Sequence, residues 1–322
     1  MYTTKVHIPE SNVNISYTDK IMTLGSCFAE NIGKRLEHAY FQVNINPFGV
    51  LYNPLSVVQS LKTLLDKHTF TSEEVFEYQS LWSSFSHSSL FSGVTREACL
   101  AHINTSTARA SEEIVQSRFL LITLGTAWVY EDVGSGQVVA NCHKLPANRF
   151  TRRKLEVGEI TEKLTDVLRE VKGINPLLEV LITVSPIRHW KDGAHENNIS
   201  KATLLLAVEA LRKELAFVHY FPAYEIQLDE LRDYRYYASD MLHPSETAVD
   251  YIWQRFSDTY FDANTLQLKK ELEQLRADFN HRPLHPDTAQ YNAFLQSREK
   301  RKGELIGKYP PLAHFFVEDN IT

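Results

Sequence analysis

Cysteine is scarce in this chain: Cys27, Cys99 and Cys142 are the three among 322 residues. No two stand at CxxC spacing, so neither a disulfide framework nor a structural zinc site is written here, and free thiols point to a reducing compartment. Long apolar runs are missing too. No stretch of about eighteen apolar residues occurs, which excludes an ordinary transmembrane helix. Residues 1–10 hold neither the apolar segment nor the small-residue cleavage site of a signal peptide. The expectation is a cytoplasmic protein with no membrane partner. An excess of positive charge is also lacking. With 34 Lys and Arg against 40 Asp and Glu, the formal net charge is −6, and no global field recruits nucleic acid. There is no HExxH and no Gly-x-x-x-x-Gly-Lys-Ser/Thr, and Gly134-x-Gly136 lacks the third glycine and following helix of a dinucleotide site. The histidines form no ligand pairs at one-turn spacing. We therefore expect no metal and no cofactor. Internal repeats and low-complexity segments are absent.

The composition that remains, 43% hydrophobic and 23% charged, is that of an ordinary globular chain. Its length suits one large domain with an appendage, or two small ones. The stretch from Lys20 to Asn31 is the most informative. A short apolar strand runs into Gly25-Ser26, and Phe28, Ile32 and Leu36 then recur every fourth residue as one face of a helix. Ser26 would sit on a strand-to-helix turn with its hydroxyl exposed, where the helix N-terminus favours developing negative charge. That suits a nucleophile. Serine is also a preferred helix N-cap, and a purely structural cap is the competing reading.

More than two hundred residues later comes Ser239-Asp240-Met241-Leu242-His243-Pro244. Pro244 biases His243 away from helical geometry. A helix follows, with Val249, Ile252, Trp253, Phe256 and Tyr260 on one face. Three-residue spacing in such a turn lets the Asp240 carboxylate reach one imidazole nitrogen, leaving the other free as a general base. Taken alone, this spacing is a weak motif, and Asp240 as a turn or capping residue beside an incidental histidine is the favoured reading. Together the two segments supply a nucleophile, a base and its orienter.

Gly25-Ser26-Cys27-Phe28-Ala29 resembles the name-giving motif of the GSCFA family, related to the SGNH (GDSL-like) hydrolases. Asn46-Pro-Phe-Gly49 through Pro54, Val139 through Lys144, and Val184-Ser-Pro-Ile-Arg188-His189 with Asp192-Gly193 and Glu196-Asn197-Asn198 are similar to it in the same order. The resemblance spans roughly residues 18 to 260. It implies a flavodoxin-like three-layer α/β/α fold, with Ser26 as nucleophile and Asp240 and His243 completing a triad.

The rest of the chain alternates strands and helices. Residues 40–44 read as a strand, Pro54 to Leu65 as a helix, Phe119–Leu124 as a strand buried on both faces, and 178–184 as another. Residues 161–171 and 200–217 carry helical periodicity, and 218–221 make a short strand. Short connections between such elements argue for a parallel sheet covered on both faces. Trp128–Tyr130 and Gln137–Ala140 flank Gly134-Ser-Gly136 as a hairpin that would return Asn141 and His143 to the mouth of the central strand. About residues 67–115, aromatic and Ser-rich, read as an insertion placed to cover the cleft. The domain reading is 1–262, followed by a helical appendage at 263–322. There Leu268, Leu272, Leu275 and Phe279 mark an amphipathic helix, and Arg298 to Lys302 reads as a solvated face. These helices offer a surface for a homodimer or a cover for an apolar edge.

In open sheets of this kind the ligand site lies beyond the carboxyl ends of the strands, where Ser26, Asn46, Gly49, Gly125, Thr126, Arg188 and His189 all fall. Acyl transfer needs donors aimed at the oxyanion. The Ser26 and Gly49 N–H groups are the backbone candidates. The resemblance implies an asparagine from a Gly-x-Asn motif as well, but the segment reads Gly125-Thr126-Ala127, leaving Thr126, Asn46 or Asn141 to substitute. His143 and His189 suit site lining or structural hydrogen bonding equally. Arg188 suits an anionic substrate group or an ion pair. His87, in the Ser-rich insertion, is a minor candidate for reaching the cleft, with a structural role as the favoured reading. Cys27 reads as a small hydrophobe turned into the core, with a Cys27–His243 pair as the alternative, since helix N-termini activate thiols. The reading is a serine-dependent esterase of SGNH type acting on a small-molecule or carbohydrate ester. An acyltransferase on the same triad is the nearest rival. A non-catalytic domain holding a ligand with Arg188, His143, Asn141 and Trp82 is the other.

Overall fold

A computed structural model describes residues 4–316. The first strand, β1 (Lys20–Gly25), passes through Ser26 into α1 (Cys27–His38), whose Phe28, Ile32 and Leu36 are buried. β2 (Gln42–Ile45) and α2 (Pro54–Leu65) follow, with the Asn53 side chain capping α2 through Ser56 N at 2.8 Å and Pro54 in its first turn. The segment read as an irregular insertion contains a small hairpin, β3 (Phe76–Tyr78) and β4 (Leu81–Ser83), and a long helix, α3 (Arg96–Ile114). The buried stripe of α3 includes Cys99, Thr107, Ala110 and Ser111, small or polar residues that mute the apolar periodicity.

β5 (Phe119–Leu124) is buried at every position. β6 (Trp128–Asp132) and β7 (Val138–Val139) form the expected hairpin, with Tyr130 opposite Val139. A strand the sequence did not announce, β8 (Phe150–Lys154), pairs antiparallel with β6. Its charged residues are held by partners: Arg153 binds both Glu131 and Glu159. The chain continues through α4 (Val157–Ile174), β9 (Glu179–Val184), α5 (Gly193–Glu214), β10 (Val218–Tyr220) and a short α6 (Ala223–Glu225). Then come α7 (Glu246–Tyr260), α8 (Ala263–Asn280) and α9 (Ala289–Lys308), followed by a 3-10 turn at Pro310–Phe316.

The main sheet has the order β10-β9-β5-β1-β2, and each neighbouring pair is parallel. Counted along the sheet alone this is the 2-1-3-4-5 flavodoxin-like order, with its switch point between β1 and β5. Successive strand residues feed opposite faces. Ile21, Phe119, Leu121 and Leu181 pack with α1, α7 and α8, while Met22, Leu24, Leu120, Ile122, Val180 and Ile182 pack with α2 to α5. The result is a three-layer α/β/α sandwich. Leu268, Leu272 and Leu275 of α8 and Leu305 of α9 lie in the same apolar cluster as α1 and α7. Among the described residues, no helix is long and apolar enough to cross a membrane.

Candidate active site

At the carboxyl ends of β1, β5 and β9 lies a cavity of about 450 Å³, beside the switch point of the sheet. Gly25 brings β1 and β5 together there. Its φ is +139°, and a Cβ in its place would stand 2.2 Å from the Thr123 carbonyl oxygen. The chain then turns sharply. Ser26 caps α1, its Oγ accepting from Phe28 N at 3.4 Å and its own N–H donating to Thr123 O at 3.1 Å. Ser26 is fully buried and does not line the cavity. The expectations of an exposed hydroxyl and of a free Ser26 N–H are corrected: the N–H completes the join to β5.

Cys27 also departs from its core reading. It is partly exposed and lines the cavity, with Sγ 3.7 Å from the Tyr52 hydroxyl. Burial, and then the neighbouring Cys27, raise the Tyr52 pKa well above the usual phenol range, so the hydroxyl keeps its proton. Ala29 N and Glu30 N donate to Ser26 O, and Phe28 N donates to Ser26 Oγ. The Cys27 N–H is therefore left without an acceptor among the described residues, as the first amides of a helix are.

His243 faces the same cavity. Its Nδ1 meets Asp240 Oδ2 at 2.5 Å, while Asp240 Oδ1 accepts from the N–H groups of Leu242 (2.9 Å) and His243 (3.0 Å). These backbone bonds, with the imidazole contact, hold the Asp240 carboxyl down to about 2. The turn is pinned by Ala238 N to His243 O at 2.7 Å and by Arg188 N to Leu242 O at 3.3 Å. A carboxylate fixing one nitrogen and leaving the other open is the geometry of an oriented general base.

Thr126, Asn141, Arg188 and His189 line the cavity as well. The Thr126 and Gly125 N–H groups both donate to Tyr52 O at 2.9 Å, and Thr126 Oγ1 accepts from Trp128 N at 3.1 Å, so Thr126 is bound into the scaffold. Arg188 donates to Asn198 Oδ1 at 3.1 Å. His189 lies over Gly125: a Cβ added to Gly125 would stand 3.3 Å from His189 Nε2 and 3.5 Å from Ser26 Cβ. That Nε2 is buried with no hydrogen-bond partner among the described residues. Burial, then Lys201 and His243, push the His189 pKa down to about 4, so the ring is neutral.

Other candidates fall outside the cavity. Gly49 has φ +74° and its N–H is spent on Asn46 O at 2.6 Å; a Cβ there would meet Ser88 Oγ at 1.9 Å. Its role as an oxyanion donor is corrected. Asn46 is buried, its side-chain nitrogen and oxygen both without partners among the described residues, and is not on the cavity wall. His143 turns away, its Nε2 bonding to Ser84 O at 2.8 Å. His87 is enclosed by Phe48, Phe70 and Phe91, and Trp82 stacks under Arg96. No residue of 67–115 lines the cavity, so the insertion packs beside it.

Several residues on or under the cavity were missed. Tyr52, Trp128, Tyr130 and Trp190 form its aromatic wall, with Arg152 stacked 4.3 Å from the Trp128 ring. Lys201 lies beneath, fully buried, donating to Gly125 O at 2.7 Å and Ser185 O at 2.8 Å. Its position three residues before Leu204, on an otherwise apolar helix face, was the available signal. No group of three or more His, Cys, Asp or Glu able to hold a metal ion exists among the described residues.

The model described as "GSCFA family" matches residues 20–256, and one described as "GSCFA domain protein, C-terminal domain" matches 272–318. No curated protein matches. Among solved structures, a Clostridium thermocellum family 3 carbohydrate esterase is 11% identical, covering 79% of this chain and 98% of its own, at a TM-score of 0.36. The psychrotrophic esterase EstA from Pseudoalteromonas sp. is 13% identical over 75% and 96%, at 0.34. The acetyl xylan esterase Est2A from Butyrivibrio proteoclasticus is 12% identical over 77% and 64%, at 0.37.

Proposed function

From the premise that this chain belongs to the GSCFA family, we propose that it is an acyl hydrolase, cleaving a small or sugar-linked ester by nucleophilic catalysis. A nucleophile from the first turn of α1 attacks the acyl carbonyl, His243 takes and returns the proton, and Asp240 orients His243. The observation that carries this reading is the 2.5 Å Asp240–His243 contact, with His243 opening onto the cavity that α1 enters by its N-terminus. Water can reach the base: the side chains of His243 and Asp240 are 48% and 45% exposed. This favours hydrolysis over transfer to a second hydroxyl. The aromatic wall suits the face of a sugar ring or an apolar acyl group.

The test is turnover of p-nitrophenyl acetate and of acetylated sugars by wild type, His243→Ala and Asp240→Asn. Loss of the base should lower kcat/KM by about 100-fold or more, and loss of its orienter by a comparable factor. Equal rates in all three proteins, or no turnover of any ester by wild type, would sink the reading.

A further inference from the structure

We propose that the acyl group is carried by the sulfur of Cys27, not by the hydroxyl of Ser26; this rests on the acyl-hydrolase reading above. The two residues are adjacent, yet they face different surroundings. Ser26 belongs to the join between β1 and α1: fully buried, capping Phe28 N and bonded to Thr123 O. Exposing its Oγ would undo the cap. One residue further, the helix has turned by about 100°, and Cys27 reaches the cavity wall that His243 also forms.

The surroundings of Sγ suit an anion. It sits in the first turn of a twelve-residue helix, where the macrodipole stabilises negative charge. The Tyr52 hydroxyl, 3.7 Å away and held in its protonated form by burial, supplies a donor to the thiolate. Burial raises the thiol pKa of Cys142, on the same cavity, which makes that thiol a poor nucleophile. Oxyanion donors follow from the same assignment. Among the described residues the Cys27 N–H has no acceptor and the Nε2 of the neutral His189, above Gly125, has no partner; the His189 ring takes the place of the absent Gly-x-Asn asparagine.

The steps balance. His243 accepts the thiol proton, and the sulfur bonds to the acyl carbon. The ester C–O bond breaks, and the leaving alkoxide takes the proton from His243. Water then gives a proton to His243, and its oxygen attacks the thioester. The C–S bond breaks, releasing the carboxylic acid, and the proton returns from His243 to the thiolate.

The experiment uses the full chain with p-nitrophenyl acetate, quenched during the burst and mapped by peptide mass spectrometry. It compares wild type, Ser26→Ala, Cys27→Ala, Cys27→Ser and Cys142→Ala, with folding checked by circular dichroism. The expected adduct is a thioester on Cys27, removed by neutral hydroxylamine. It should persist in Ser26→Ala and Cys142→Ala, vanish in Cys27→Ala, and move to oxygen at position 27 in Cys27→Ser. Turnover in Cys27→Ala should fall by about 100-fold or more. An adduct on Ser26, or Cys27→Ala as active as wild type, overturns the assignment while leaving the hydrolase reading intact. If wild type is neither acylated nor active, the hydrolase reading fails, and iodoacetamide judges Cys27 separately. Alkylation faster at Cys27 than at Cys142, and slowed in His243→Ala, upholds an activated Cys27–His243 pair. Equal, His243-independent alkylation of both thiols overturns it.

Discussion

A buried base shows how a single residue bears on stability. His87 is fully buried among phenylalanines, and neither ring nitrogen has a hydrogen-bond partner among the described residues. Burial, followed by His143 and His102, lowers its pKa to about 3. The unfolded chain binds a proton here below about 6.5 and the folded chain does not, so this residue removes stability as pH falls from 6.5 towards 3, by about 1.4 kcal/mol per pH unit. His87→Phe, which keeps a ring in the aromatic cluster, should raise the urea midpoint, and by more at pH 5.5 than at pH 7.5. A pH-independent difference between the two proteins would contradict this. The sequence displayed His87 plainly, but only packing shows that it faces Phe48 and Phe70 and not the cleft.

Among the elements, the join of β1 to α1 and the clamp from α5 set the site. Lys201 of α5 ties the ends of β5 and β9 together through the carbonyls of Gly125 and Ser185. Burial, then Arg188, brings its pKa down to about 7. In this case the unfolded chain retains a proton that the folded chain releases, so stability is gained as pH rises from about 7 to about 10.5. Chemical denaturation of wild type and Lys201→Met at pH 7 and pH 9 should show wild type gaining on the variant by about 1.4 kcal/mol per pH unit. An unchanged gap would place the amine elsewhere. The bounds of α2 were legible, since Asn53 and Pro54 mark its start and a periodic apolar face its length. Those of α3 were not, because small and polar residues fill its buried stripe. β8 was hidden for another reason. Arg152, Arg153 and Lys154 carry no strand signature, and Asp192, Glu131, Glu159 and Glu196 supply their partners from elsewhere in the fold.

Across the whole molecule, the apolar cluster on one side of the sheet runs without a break from α1 and α7 into α8. Leu272→Ala, at a fully buried position in α8, should therefore destabilise the entire chain by about 2–5 kcal/mol, in one transition shared by near-ultraviolet circular dichroism and tryptophan fluorescence. A separate early transition would mark the C-terminal helices as an independent unit. What the sequence by itself determined is local or pairwise. The doubly buried strands and the Asp240–His243 turn follow from short-range periodicity and spacing. Which side chain enters the cavity was decided by tertiary structure alone. Ser26 and Cys27 are neighbours in the chain, but the bond from Ser26 N–H to Thr123 O anchors one to a distant strand while the helix turns the other outward. No local pattern encodes an acceptor nearly a hundred residues away.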